Sequence, residues 1–227
     1  GNGSIFASPG CINWTSRDSG VTTKLNDATW TGEQIVVVGV GGVILTSPDG
    51  VQWTPRTSGT TETLIDVFQS GSSTVALGGN GTILTSADGV TWTKRTSGVT
   101  EPLIGGTWSG TRLVVVGVGG KILTSEDGIS WQPRTSGTTR NLHLVEWDGS
   151  QYLVAGQLGT LLTSPDGITW TQRAFATTPE FTGLVWTGQL FVAATHTGEI
   201  HTSPDGITWT QQNPVPSAGF RELVWTG

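Results

Sequence analysis

Five aspartates, Asp49, Asp88, Asp127, Asp166 and Asp205, recur at a constant interval of 39 residues, each inside a Ser-x-Asp-Gly sequence. Five carboxylates in step suggest a calcium-binding or catalytic array. The same interval governs Arg17, Arg56, Arg95, Arg134 and Arg173, with Gln212 completing the set. A repeating unit carries each of these residues into a different copy, which keeps the carboxylates too far apart to act together. Their chemistry is then local. A Ser hydroxyl and an Asp carboxylate accept backbone N–H groups of a tight turn, and the Gly supplies positive φ. The histidines His143, His196 and His201 show no metal-ligand spacing such as His-x-x-x-His. Cys11 is the only cysteine, which excludes an internal disulfide and a cysteine-rich zinc site. Gly39-Val40-Gly41-Gly42 is followed by no helix that would receive a phosphate, so it reads as a strand turn. The residues call for no cofactor and no metal.

The elements that hold these residues follow from the repeat. The Ser-x-Asp-Gly sequence, Ser-Pro-Asp-Gly at 47–50, recurs at 86–89, 125–128, 164–167 and 203–206, and a degenerate copy stands at Ser8, Pro9, Gly10 and Cys11. All eleven tryptophans fall at two positions of the period. Trp14, Trp53, Trp92, Trp131, Trp170 and Trp209 share one; Trp30, Trp108, Trp147, Trp186 and Trp225 share the other, where Gln69 fills the gap. Each period reads as four short β segments, A to D, rich in Val, Ile, Leu, Thr and Trp and bounded by Gly or Asp-Gly turns. In the copy that starts at Leu25 they are 25–30, 34–38, 43–46 and 51–56. Four-stranded antiparallel units of about 40 residues are blades of a β-propeller. The expected fold is therefore all-β with almost no helix: one propeller domain over 1–227, with complete blades at about 25–57, 64–96, 103–135, 142–174 and 181–213. Val36, Val38, their counterparts and the tryptophans are expected to pack one blade on the next.

Six periods of 39 would occupy 234 residues, and the chain has 227. The missing phases correspond to 33–39, which is strand B. The sixth blade is split, with strands C and D from 1–17 and strand A from 220–227. Its closure would leave unpaired edges that invite another strand, and three explanations stand open: a truncated chain, a strand donated by another chain with homo-oligomerisation, or a ring with a distorted last blade.

Only 12% of the residues are charged, against roughly 25% in an average soluble domain. The net charge of −6 argues against a basic nucleic-acid surface or a polybasic membrane patch. No apolar run approaches the ~20 residues of a membrane span, and no signal-peptide pattern is present. The Thr-rich, Lys-poor composition fits an exposed or secreted bacterial protein.

The turn and the tryptophan that follows it, Ser47-Pro48-Asp49-Gly50-Val51-Gln52-Trp53, resemble the Asp-box, or BNR, repeat of sialidase-like propellers. That motif runs Ser/Thr-x-Asp-x-Gly-x-x-Trp, one residue longer between Asp and Gly. The same repeat style is seen in photosystem-assembly-factor-like proteins. The resemblance covers the whole chain through its repeats and implies a propeller in which Asp49, Asp88, Asp127, Asp166 and Asp205, with Trp53, Trp92, Trp131, Trp170 and Trp209, are structural. It does not imply sialidase activity. Those enzymes need an arginine cluster, a Tyr–Glu pair and an acid Asp, whereas Tyr152 is the only tyrosine and its phase puts it on strand B.

Function in a repeat protein is expected where the copies differ on one face. The D-to-A and B-to-C connections emerge on the same side, together with the start of strand A. There Asp27, Asp66, Arg140, His143, His196, Arg221 and Glu222 form the candidate ligand-binding set. Two non-catalytic readings follow. One is a lectin-like module with repeated inter-blade glycan sites built on the tryptophans. The other is a scaffold that docks a protein partner. The identical heptads 36–42 and 114–120 also fit a recently amplified or designed repeat.

Overall fold

The computed structural model describes residues 3–8, 10, 12–212, 219–220 and 222–225. Among them are 22 β-strands and three single-turn 3₁₀ segments. The first two strands, β1 (Ile5–Ala7) and β2 (Thr15–Arg17), form an antiparallel pair. Strands β3 (Leu25–Trp30), β4 (Ile35–Gly39), β5 (Ile44–Ser47) and β6 (Thr54–Arg56) form the first complete blade. The second holds β7 (Leu64–Ser70), β8 (Ser73–Gly78), β9 (Ile83–Ser86) and β10 (Thr93–Arg95). The third holds β11 (Leu103–Trp108), β12 (Leu113–Gly117), β13 (Ile122–Ser125) and β14 (Gln132–Arg134). The fourth holds β15 (Leu142–Trp147), β16 (Tyr152–Gly156), β17 (Leu161–Ser164) and β18 (Thr171–Arg173). The fifth holds β19 (Phe181–Trp186), β20 (Phe191–Thr195), β21 (Ile200–Ser203) and β22 (Thr210–Gln211). In every complete blade the strands hydrogen-bond in chain order, A-B-C-D.

Strand D is shorter than the 51–56 expected from composition. The Asp49 carboxylate accepts the N–H groups of Val51 (2.8 Å) and Gln52 (3.2 Å), which withdraws both from the ladder. Strand D is also the edge strand, and Pro55 and Pro133 sit in the middle of β6 and β14, where a missing N–H blunts further pairing. The second correction concerns the C-terminus. Residues 222–225, expected as strand A of the split blade, carry no strand. Strand A pairs only with B in each complete blade, so without B it has no ladder to join. Its position is nonetheless that of an inner strand. A Cβ on Gly183 of β19 would meet Leu223 Cγ at 2.7 Å, just as one on Gly105 of β11 would meet the His143 carbonyl of β15 at 2.4 Å.

The chain divides into two compact units, one of 1–103 with 128–130, the other of 104–127 with 131–227. In the first, Val36, Val38 and Ile44 of one blade pack against Leu64, Val67, Ala76 and Leu84 of the next, and Trp92 covers the layer. In the second, Val114, Val116 and Ile122 pack against Leu142, Val145, Tyr152, Val154 and Leu162, flanked by Trp147 and Trp170. A further layer joins Leu153, Ala155 and Leu161 to Phe181, Leu184 and Phe191. Within each unit these layers bury the facing sides of neighbouring blades.

Candidate functional site

Each Ser-x-Asp-Gly turn consumes its own carboxylate. In the fourth blade Ser164 Oγ donates to Asp166 Oδ1 (2.9 Å), Gly167 N donates to Ser164 Oγ (2.8 Å), and the N–H groups of Ile168 and Thr169 donate to Asp166 (2.8 and 2.9 Å). Asp49, Asp88 and Asp205 are held the same way, and Asp127 accepts from Ser125 Oγ (2.9 Å). Backbone donors hold the carboxyls of Asp49, Asp88, Asp166 and Asp205 below the usual range, that of Asp88 at about 2 against an ordinary 3.8. The glycine takes φ near +70° in every copy, for example 71° at Gly167. Because the folded value is depressed, the carboxylate stabilises the fold fully above pH 3.8 and the contribution is lost as pH falls through about 2. Asp88→Asn is accordingly expected to lower Tm at pH 7, with the gap from the parent closing between pH 4 and 2 in a thermal melt series.

The tryptophans after these turns close them. Trp92, Trp170 and Trp209 donate through Nε1 to the carbonyls of Gly89, Gly167 and Gly206 at 3.1–3.2 Å. The five members of this set, Trp53, Trp92, Trp131, Trp170 and Trp209, are half-buried or buried. The repeated arginines are equally local: Arg56, Arg95, Arg134 and Arg173 donate through Nε to Thr46, Thr85, Thr124 and Thr163 at 2.7–2.9 Å, and Gln212 reproduces the bond to Thr202 at 2.7 Å.

One inter-blade clamp escaped sequence reasoning. Gln34 Nε2 donates to the Asp88 carbonyl (2.7 Å), Gln151 Nε2 to the Asp205 carbonyl (2.9 Å), and the Arg112 guanidinium to the Asp166 carbonyl. Each fastens strand B of one blade to the Asp turn of the next. The shared phase of 34, 112 and 151 was the available signal.

Of the candidate ligand-binding residues, Asp27 and Asp66 meet. They stand at corresponding positions of β3 and β7, each just after a bulge, and their side chains approach one another. Burial pushes the Asp27 carboxyl up, opposed by hydrogen bonds from the backbone of Val67 and Ala28 and from Asp66; the Val67 N–H reaches Oδ2 at 2.7 Å. Beside the pair, Asn26 Nδ2 donates to the Leu64 carbonyl at 2.6 Å, lacing the same two strands. Asp27 and Asn26 thus tie β3 to β7, two adjacent inner strands.

The others lie in the second unit. Arg140 is exposed on a D-to-A connection and donates to the Leu158 carbonyl (3.0 Å), in a B-to-C turn where Leu158 itself has φ 53°. His143 is the bulged residue of β15, half-buried. His196 is exposed in the turn after β20, and its N–H donates to the Glu180 carbonyl at 3.2 Å. Glu222 is exposed in the C-terminal segment, and Arg221 lies outside the described residues. Among the described residues no hydrogen bond or ion pair joins Arg140, His143 and His196 to one another, and no cluster of three or more His, Cys, Asp or Glu is placed to hold a metal.

The two kinds of connection do share a face. Gly42 of a B-to-C turn packs so closely on the D-to-A connection of its blade that a Cβ would stand 2.0 Å from the Thr60 carbonyl. Against these connections the first unit opens a cleft of about 720 Å³, lined by 41–45, 55–62, Val21 and Lys94. Its charged side chains are Arg56, Glu62 and Lys94, and none of its lining residues is aromatic.

No family model matches the chain, and no curated protein does. Solved structures do. YCF48 bound to D1 peptide aligns with a TM-score of 0.70 at 21% identity, covering 92% of this chain and 75% of that one. The computationally designed Ika8 protein aligns at 0.72 and 11% identity, covering 90% and 66%. The C-terminal WD40 domain of Sif2 aligns at 0.61 and 15% identity, covering 86% and 62%. With the five four-stranded blades, these likenesses identify the fold as a β-propeller.

Proposed function

We propose that the chain is a non-catalytic binding scaffold that holds an extended protein segment on the face built by its D-to-A and B-to-C connections. The observation that carries this reading is the open cleft of the first unit, about 720 Å³, with Arg56, Glu62 and Lys94 on its walls and Gly, Ser and Thr of the connections along its floor. Exposed connection backbone and hydroxyls offer the donors and acceptors that an extended peptide needs, and charges of both signs orient it. A peptide-bound propeller among the similar structures supports the same reading.

The lectin-like alternative rests on the repeated tryptophans as sugar platforms. The use of Trp92, Trp170 and Trp209 in turns and inter-blade layers argues against it at those positions, since a sugar stacks on a free aromatic face. Parallel screening of the 227-residue protein on a random-peptide array and a broad glycan array separates the two. Reproducible peptide binding, weakened about tenfold or more in Lys94→Glu or Glu62→Lys, is the expected result. Glycan binding that free sugar competes, with no peptide signal, would overturn it.

A further inference from the structure

The fourth blade departs from the repeat at its B-to-C turn. Gly41 (φ 75°), Asn80 (φ 52°) and Gly119 (φ 69°) hold the left-handed position of that turn in the first three blades. Glycine and asparagine are the residues that reach this region at least cost. The fourth blade places Leu158 there, at φ 53° and ψ 42°. A bulky side chain at such a φ is strained. Packing gives no reason for it: a Cβ on Gly41 or Gly119 would meet nothing within 4 Å, and Leu158 is 53% exposed.

The backbone on either side of Leu158 is fastened. The Gln157 N–H donates to the Asn141 carbonyl (2.9 Å) and the Gly159 N–H to the Pro179 carbonyl (2.7 Å). A Cβ on Gly159 would stand 2.4 Å from the Thr177 carbonyl oxygen, so the turn is seated closely on its neighbour. The strained residue is therefore held at a fixed point. A second departure from the repeat touches it. Arg140 stands where the connections into the second and third blades carry Glu62 and Glu101, and its Nη1 donates to the Leu158 carbonyl (3.0 Å). Arg140 is exposed and forms no ion pair among the described residues.

We propose that Leu158 and Arg140 form a two-point anchor, on the connection face of the second unit, for an extended segment of a protein partner that carries a large apolar residue beside an acidic one. The inference rests on the reading of the connection face as a protein-docking surface and adds the chemistry of the segment. The partner's apolar side chain covers Leu158, and its carboxylate pairs with the guanidinium donors that the Leu158 carbonyl leaves free. A tip held in place before binding loses little freedom on binding, which is a physical reason to carry the strain in the free protein.

The test screens the 227-residue protein and its Leu158→Gly, Leu158→Met, Arg140→Gln and Lys94→Glu variants on the random-peptide array, with calorimetry for the strongest binders and a thermal melt of each variant. The expected result is a group of peptides with Phe, Leu or Ile next to Asp or Glu. Their binding falls about tenfold or more in Leu158→Gly and in Arg140→Gln, and is kept in Leu158→Met. Leu158→Gly is also expected to raise Tm by about 2 °C, a combination that a leucine serving the fold would not give. A lower Tm in Leu158→Gly would overturn the proposal, and so would unchanged binding of every peptide in that variant. If Lys94→Glu still weakened those peptides, the anchor alone would fall and the cleft reading would stand. An array with no bound peptide would remove both.

Discussion

Gly42→Ala is expected to cost about 3 kcal/mol or more, whereas Gly41→Ala, one residue earlier in the same turn, is expected to cost about 1 kcal/mol. Both glycines have φ 75°, so both pay the left-handed penalty of an L-residue, about 1–2 kcal/mol. They differ in what a methyl group would meet. Around Gly41 there is nothing within 4 Å; at Gly42 the new Cβ would lie 2.0 Å from the Thr60 carbonyl oxygen and 2.9 Å from Ser58 Oγ. Neither neighbour is free to yield, because Ser58 Oγ donates to that same carbonyl (3.1 Å) and accepts the Thr60 N–H (3.3 Å). The methyl would have to lift the whole D-to-A connection from the B-to-C turn. Gly81 and Gly120 repeat the arrangement against Val99 and Thr138. Urea denaturation of the two single variants measures the contrast. Equal losses would mean that the two connections are not clamped together.

Glu146→Gln is expected to stabilise the protein at pH 8.5 by up to about 3 kcal/mol and to leave stability at pH 4 nearly unchanged. Glu146 lies on β15 opposite Leu153, on the side of the sheet that packs against Phe181, Leu184 and Phe191. Among the described residues it makes no hydrogen bond and no ion pair. Burial alone pushes its carboxyl from 4.5 to about 7. A raised carboxyl means that the folded state holds the proton more tightly than the unfolded chain. Stability is therefore full below pH 4.5, falls as pH rises to about 7, and stays low above it. The amide is neutral throughout and removes that slope. Melts of both proteins from pH 4 to 8.5 test this; parallel curves would place Glu146 in water.

The repeat made the blades legible, because a 39-residue period with fixed turn residues leaves little freedom in where strands begin. What failed to be legible was set by side chains acting on the backbone. Strand D shortened because Asp49 captures two amides that composition alone assigns to the strand. Residues 222–225 have strand-like composition but form no strand, and pairing is a property of two segments. For the candidate site, adjacent phases picked out Asp27 and Asp66, but not the capture of the Val67 N–H by Asp27, which depends on how the two inner strands sit side by side. The Gln34, Arg112 and Gln151 clamp was hidden because its phase mixes residue types, with Ser73 and Leu190 at the remaining positions. The cleft was invisible for another reason: much of its lining is the backbone of ordinary Gly, Ser and Thr connections.

The central claim is that ligands meet the connection face and not the tryptophans of the blades. The most direct measurement is an ¹⁵N NMR titration of the protein with the tightest peptide from the array, following backbone amides and indole N–H signals together. The account predicts shifts concentrated in residues 41–45 and 55–62 and at Lys94, with the indoles of Trp92, Trp170 and Trp209 unmoved. Shifts confined to those indoles, with a silent connection face, would contradict it.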